Sequence, residues 1–126
     1  SNAFETHTLK YLLTTDSVTR PTAWYVALCT TDPTDTALGT EVSGGAYARQ
    51  SVAFTVSGNN ASNTSAIEFP EATADYGTVI AVMIMPASTG GTASDMIVHA
   101  QLTSDKAIST GDIFRIPAGD LDINID

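Results

Sequence analysis

The chain is short of basic side chains, cysteine, aromatics and long apolar runs, and each shortage removes a class of function. Five Lys and Arg stand against 14 Asp and Glu in 126 residues, a formal net charge of -9. A field of that sign repels a phosphate backbone and an anionic membrane surface, which argues against a nucleic-acid-binding role. Cys29 is the only cysteine, so no disulfide can form within the chain. It follows Leu28 in an apolar run and reads as a small buried hydrophobe. A cysteine nucleophile would need a histidine beside it, and His7 and His99 are the only two. No apolar run approaches the ~20 residues that cross a bilayer, and no signal peptide precedes the first strand. There is no fixed-period repeat, no heptad pattern and no collagen-like glycine spacing, which excludes an extended repetitive shaft.

What is present is a β-forming composition. Thr, Ser, Val, Ile, Gly and Asn abound, and 43% hydrophobic against 15% charged residues fits a folded domain. The length allows one hydrophobic core. Ser1-Asn2-Ala3 looks like the remnant of a cleaved affinity tag, which leaves residues 4–126 as a single domain.

Only Phe4 to Thr15 carries helical spacing, with Phe4, Thr8 and Tyr11 on one side and Leu9, Leu12 and Leu13 on an adjoining one. From Ala23 onward the period is two. Trp24, Val26 and Leu28 alternate with Tyr25, Ala27 and Cys29, giving a strand apolar on both faces. Val52, Phe54 and Val56 predict a half-buried strand, Gly58 to Asn63 a turn, and Ile67 with Phe69 a short strand ended by Pro70. Thr78 to Met85 is the most apolar run, with Val79, Ala81, Met83 and Met85 on one face and Ile80, Val82 and Ile84 on the other. Ser88 to Asp95 reads as a flexible tip. Strands around Val98, Phe114 and Ile123 follow, the last with Asp120, Asp122, Asn124 and Asp126 on its outer face. The pattern predicts an all-β fold, an antiparallel β-sandwich of about seven or eight strands with one short N-terminal helix at about 4–15.

A sandwich core can take only one face of the Thr78–Met85 strand. The second face then needs the helix or a neighbouring subunit, which makes Ile80, Val82, Ile84, Leu9, Leu12 and Leu13 the candidate oligomer interface.

The search for chemistry returns little. The acids near the C-terminus lack the glycine-centred turn and closing Glu of a calcium loop. The two histidines have no partner at zinc-ligand spacing. Glu68 and Glu71 could act as glycosidase carboxyls only across a cleft, which a chain this short with polar loops rarely encloses. Gly44-Gly45 is followed by neither the Lys nor the helix of a phosphate loop. No catalytic, cofactor or metal residues are therefore assigned. Exposed aromatics could still stack on sugars, which makes Tyr47, Tyr76 and Trp24 candidate glycan contacts.

The run Thr40-Glu41-Val42-Ser43-Gly44-Gly45-Ala46-Tyr47-Ala48-Arg49-Gln50 resembles a segment of small tail-fibre proteins of tailed phages and prophages. So do Tyr25–Thr34 before it and Phe69-Pro70-Glu71-Ala72-Thr73-Ala74-Asp75-Tyr76-Gly77-Thr78-Val79 after it. Tyr76 departs from the usual Trp, and Ser88–Asp95 is a longer insert. The resemblance implies a non-enzymatic structural virion protein, a tail-fibre or tail-tip module assembled in the host cytoplasm. Its expected partners are copies of itself, possibly as a trimer, and other tail or capsid proteins. A glycan-binding receptor module and a capsid decoration protein are the alternatives.

Overall fold

A computed structural model describes residues 1–125; Asp126, the last of the alternating acids, lies outside the described residues. The element order is α1 (Asn2–Leu13), β1 (Tyr25–Cys29), β2 (Gln50–Ser51), β3 (Phe54–Ser57), β4 (Asn60–Asn63), β5 (Ile67–Glu68), β6 (Gly77–Met85), β7 (Val98–Ile108), β8 (Arg115–Ile116) and β9 (Asp122–Asn124). All described pairings are antiparallel. They build a four-stranded sheet in the order β2-β1-β6-β7, a three-stranded sheet β3-β4-β9 and a two-strand pair β5-β8. The fold is the expected all-β, sandwich-like arrangement with one short N-terminal helix.

The main core lies between the sheets. Val26 and Leu28 of β1 and Val79, Val82 and Ile84 of β6 meet Val52, Ile67, Phe69, Ala72, Tyr76, Ile108 and Ile116 there. Asn63, 2% exposed, is the buried polar residue in this packing. Its amide nitrogen donates to the carbonyls of Ser65 and Pro117 at 2.9 and 3.0 Å, and its amide oxygen accepts the Leu121 N–H at 2.9 Å. Both polar atoms of the Asn63 side chain are thus paired, and β4 is tied to the turn before β9.

The expected outer face of the central strand needs correction. Val82 and Ile84 are only 3% and 2% exposed and belong to the main core, not to an outer surface. Strict alternation also fails at a bulge. Val79 pairs with Lys106 and Ala81 with Gln101, so Leu102 to Asp105 stand opposite Ile80 alone. The shift puts Val79 on the same face as Val82 and Ile84, and turns Ile80 to the side of Ala81, Met83 and Met85.

That second face forms its own apolar cluster with Ala27, Cys29 and Met96. Its cover comes from loops of the same chain. Leu38 packs on it, and at Gly39 a Cβ would come within 2.5 Å of the Thr31 carbonyl oxygen and 3.1 Å of Cys29 Sγ. Only glycine lets that backbone lie so close. The Ser88–Asp95 insert supplies the rest, passing Gly91 beside Met85.

Three local expectations shift as well. The helix spans Asn2–Leu13, not 4–15, since Ser1 already accepts the N–H groups of Phe4 and Glu5 and Thr14 is extended. The strand through Val52, Phe54 and Val56 is split into β2 and β3, and Val56 faces solvent. Of the expected turn Gly58–Asn63, only Gly58 and Asn59 turn; Asn60–Asn63 is β4.

Candidate functional site

β6 pairs with the whole length of β1 along one edge, but β2 pairs only with Tyr25 and Val26 on the other. The segment Thr40–Arg49 serves the rest of that edge. Thr30 N–H donates to the Thr40 carbonyl at 2.8 Å and Val42 N–H to the Leu28 carbonyl at 3.0 Å. Leu28 N–H donates to the Tyr47 hydroxyl at 3.0 Å. A side-chain oxygen thereby replaces a strand partner for a backbone group that burial would otherwise leave unpaired.

Tyr47 Oη in turn donates to Glu41 Oε2 at 2.7 Å. Arg49 grips the same carboxylate with two prongs, Nε to Oε2 and Nη2 to Oε1, both at 2.9 Å. Two more of its N–H groups, on Nη1 and Nη2, reach the Ala87 and Gly90 carbonyls, each at 2.9 Å. The fork of a guanidinium suits this bidentate geometry. The Arg49 side chain is 5% exposed and Glu41 26%. Arg49 therefore clamps the insert and the Glu41 strand-end together over the second face of the sheet.

The turn that brings Tyr47 here runs through three successive positive φ values, Gly44 (+76°), Gly45 (+60°) and Ala46 (+69°). A Cβ at Gly45 would lie 2.8 Å from the Ala74 carbonyl oxygen, and Gly45's own carbonyl accepts the Thr73 N–H at 2.9 Å. The glycine is a contact between backbones. Tyr47 then stacks on Phe69 at 6.1 Å and meets Tyr76 edge-on at 5.8 Å.

The electrostatics suit a scaffold. Hydrogen bonds to Glu41 hold the Arg49 guanidinium above its already high ordinary pKa. Burial, reinforced by the hydrogen bond to Glu41, pushes the Tyr47 phenol above its usual range. Burial, then the Glu41 charge, pushes the Cys29 thiol up to about 12. A thiol so disposed stays protonated at neutral pH and is a poor nucleophile.

The candidate glycan aromatics are not set out as a platform. Tyr76 is buried, with its hydroxyl donating to the Pro70 carbonyl at 3.2 Å. The Tyr47 ring is packed between neighbours, and Trp24 is half-buried against the main core. Among the candidate interface residues, Val82 and Ile84 are inside and Ile80 is half-buried, whereas Leu9, Leu12 and Leu13 are exposed. Glu68 and Glu71 are exposed, with Glu68 Oε2 4.0 Å from Arg115 Nε. His99 Nε2 lies 3.3 Å from Asp35 Oδ1 at the surface. Among the described residues no three His, Cys, Asp or Glu side chains gather as a metal-binding group.

Two features were not apparent from the sequence. One is a groove of about 570 Å³ between β7 and the β8–β9 segment, lined by Val82, Leu102, Phe114 and Leu121 with Lys106 and Asp122 among its polar groups. It opens beside the bulge in β7, which depends on pairing partners far apart in sequence. The other is the isolation of α1. The helix has no buried residue, and among the described residues no strand packs extensively on it. Its start is held by the Asn2 N–H on the Asp35 carbonyl at 3.3 Å and by the Ser1 hydroxyl on the Met96 carbonyl.

Over residues 1–124 the chain matches the family described as Podophage GP4 fiber I protein gp80. No curated protein matches it significantly.

Proposed function

The chain belongs to the Podophage GP4 fiber I protein gp80 family, and we propose that it is a non-enzymatic structural module of a fibre or tail tip in a tailed phage or prophage. It is assembled in the host cytoplasm and enters the virion with copies of itself and other phage proteins. The observation that carries this is the use made of the motif. Glu41, Tyr47 and Arg49, its chemically capable side chains, are bonded to one another and to backbone, and hold two loops across the sheet. Such an arrangement supports a rigid building block and leaves no free nucleophile or base at the motif.

The fibre family supports a fibre position over capsid decoration. The glycan-receptor alternative loses support because Tyr76 and Tyr47 are committed to packing. A net charge of -9 makes basic protein surfaces the favourable partners and nucleic acid an unfavourable one. Among the described residues no helix is long and apolar enough to cross a membrane.

Gold-labelled antibodies against the chain, imaged on intact virions, are expected to mark fibres or the tail tip. Label spread regularly over the capsid shell would overturn this placement and favour decoration.

A further inference from the structure

We propose that the groove between β7 and the β8–β9 segment binds an anionic saccharide, whose carboxylate is held by Lys106 and Arg115 while its ring rests on Phe114 and Leu102. The groove exists because the two sheets differ in width. β7 is an outer strand of the four-stranded sheet and β9 an outer strand of the three-stranded one. Ala100 pairs with Val82 and Lys106 with Val79, and both partners lie in the main core. Cross-strand partners share a face, so Ala100 and Lys106 point between the sheets. Leu102 and Ser104 line the same groove. Yet Ala100, Ser104 and Lys106 are exposed, because the narrower sheet stops short of them.

The shape of the groove selects a small ligand over a chain. Its volume of about 570 Å³ falls within the ~300–1,000 Å³ of small-molecule sites. An added strand is a poor occupant. The bulge at Leu102–Asp105 breaks the register of the β7 edge, and Lys106 points inward. Both features oppose strand addition. A sugar has an apolar C–H face and a rim of hydroxyls, each of which donates and accepts. Half-buried Phe114 and Leu102 offer the apolar surface, and Ser104 and Asp122 the polar partners. None of Tyr47, Tyr76 and Trp24 lines this groove.

Charge selects the class of sugar. Of the five basic side chains, Lys10 and Arg20 lie in the N-terminal segment and Arg49 is buried against Glu41. The remaining two, Lys106 and Arg115, both line this groove. Lys106 has no ion pair among the described residues, and Arg115 meets Glu68 only at 4.0 Å, with both side chains exposed. In a chain of net charge -9, two such cations in one groove make a local site for an anion. The overall charge still repels a nucleic-acid strand, which favours a ligand with one carboxylate on an otherwise neutral frame. A guanidinium and an ammonium can both donate to that carboxylate. A uronic acid fits this description.

The test is saturation-transfer difference NMR on the full chain with methyl β-D-glucuronide, its neutral counterpart methyl β-D-glucoside, and acetate as a competitor. The glucuronide is expected to bind in the millimolar range, and the glucoside at least ~10-fold more weakly, because it lacks the charge-assisted bonds. The double variant Lys106→Gln, Arg115→Gln changes two exposed positions. It is expected to keep the wild-type Tm and to bind the glucuronide no better than the glucoside. Acetate that competes as well as unlabelled glucuronide would overturn the saccharide assignment and leave a simple anion site. Absence of glucuronide binding, equal binding of the two sugars, or a double variant that binds like the wild type would overturn the proposal.

Discussion

Replacing Arg49 with alanine is expected to cost about 3 kcal/mol of folding stability, toward the lower end of the ~3–5 kcal/mol seen when one partner of a buried ion pair is removed. The lower end applies because Glu41 is 26% exposed, so water can partly rehydrate the orphaned carboxylate. The loss is large against a total of ~5–15 kcal/mol for a domain of this kind. It also frees the Ala87 and Gly90 carbonyls, which loosens the insert over the second face. Arg49→Lys keeps the charge but cannot span both Glu41 oxygens and both carbonyls, and is expected to recover less than half the loss. Urea unfolding of the three proteins measures this. A change within ~1 kcal/mol for Arg49→Ala, the range of an exposed ion pair, would show that the clamp contributes little.

Phe69→Ala is expected to be at least as damaging. Phe69 is 1% exposed, stacks on Tyr47 and lies 5.8 Å from Phe114. Truncating a buried phenylalanine costs about 3–5 kcal/mol, combining lost burial with the cavity left behind. At this chain length that is a fall of roughly 10–20 °C in Tm. Because Tyr47 leans on the removed ring, the loss should exceed that of a comparable truncation at Ile116, which lies elsewhere in the same core and is 8% exposed. Scanning calorimetry on Phe69→Ala and Ile116→Ala gives the comparison. Equal losses would mean that the ring stack adds nothing beyond apolar area.

The strands that alternation marked most clearly were legible in the sequence. Tyr25–Cys29 and Gly77–Met85 fall where their two-sided apolar runs put them, because a strand covered on both faces has no polar side to show. The facing of β6 was not legible. A single bulge in β7, at Leu102–Asp105, breaks the period of two in β6, and its place depends on register between strands some 20 residues apart. The cover of the second face was hidden for a related reason. Gly39 and Gly91 sit in polar segments that resemble free loops, and only their approach to Cys29 and Met85 reveals them as lids. In the motif, glycine permissiveness and an Arg reaching a carboxylate could be expected, but not which carboxylate. Glu41 is that partner because it bridges to Cys29 at the edge of β1. Asn63 was concealed among the neighbouring asparagines, since burial rather than residue type distinguishes it.

Taken together, both faces of the four-stranded sheet are covered by the chain itself. The Cys29 thiol reads this most directly, because it is fully buried in the second cluster beneath Leu38 and Gly39. The measurement is its rate of modification by a thiol reagent at neutral pH, from high micromolar to nanomolar protein. A cover built from the chain's own loops predicts slow labelling at one rate across the whole range. Labelling that accelerates on dilution would contradict it, because only a departing neighbour could then have been covering that face.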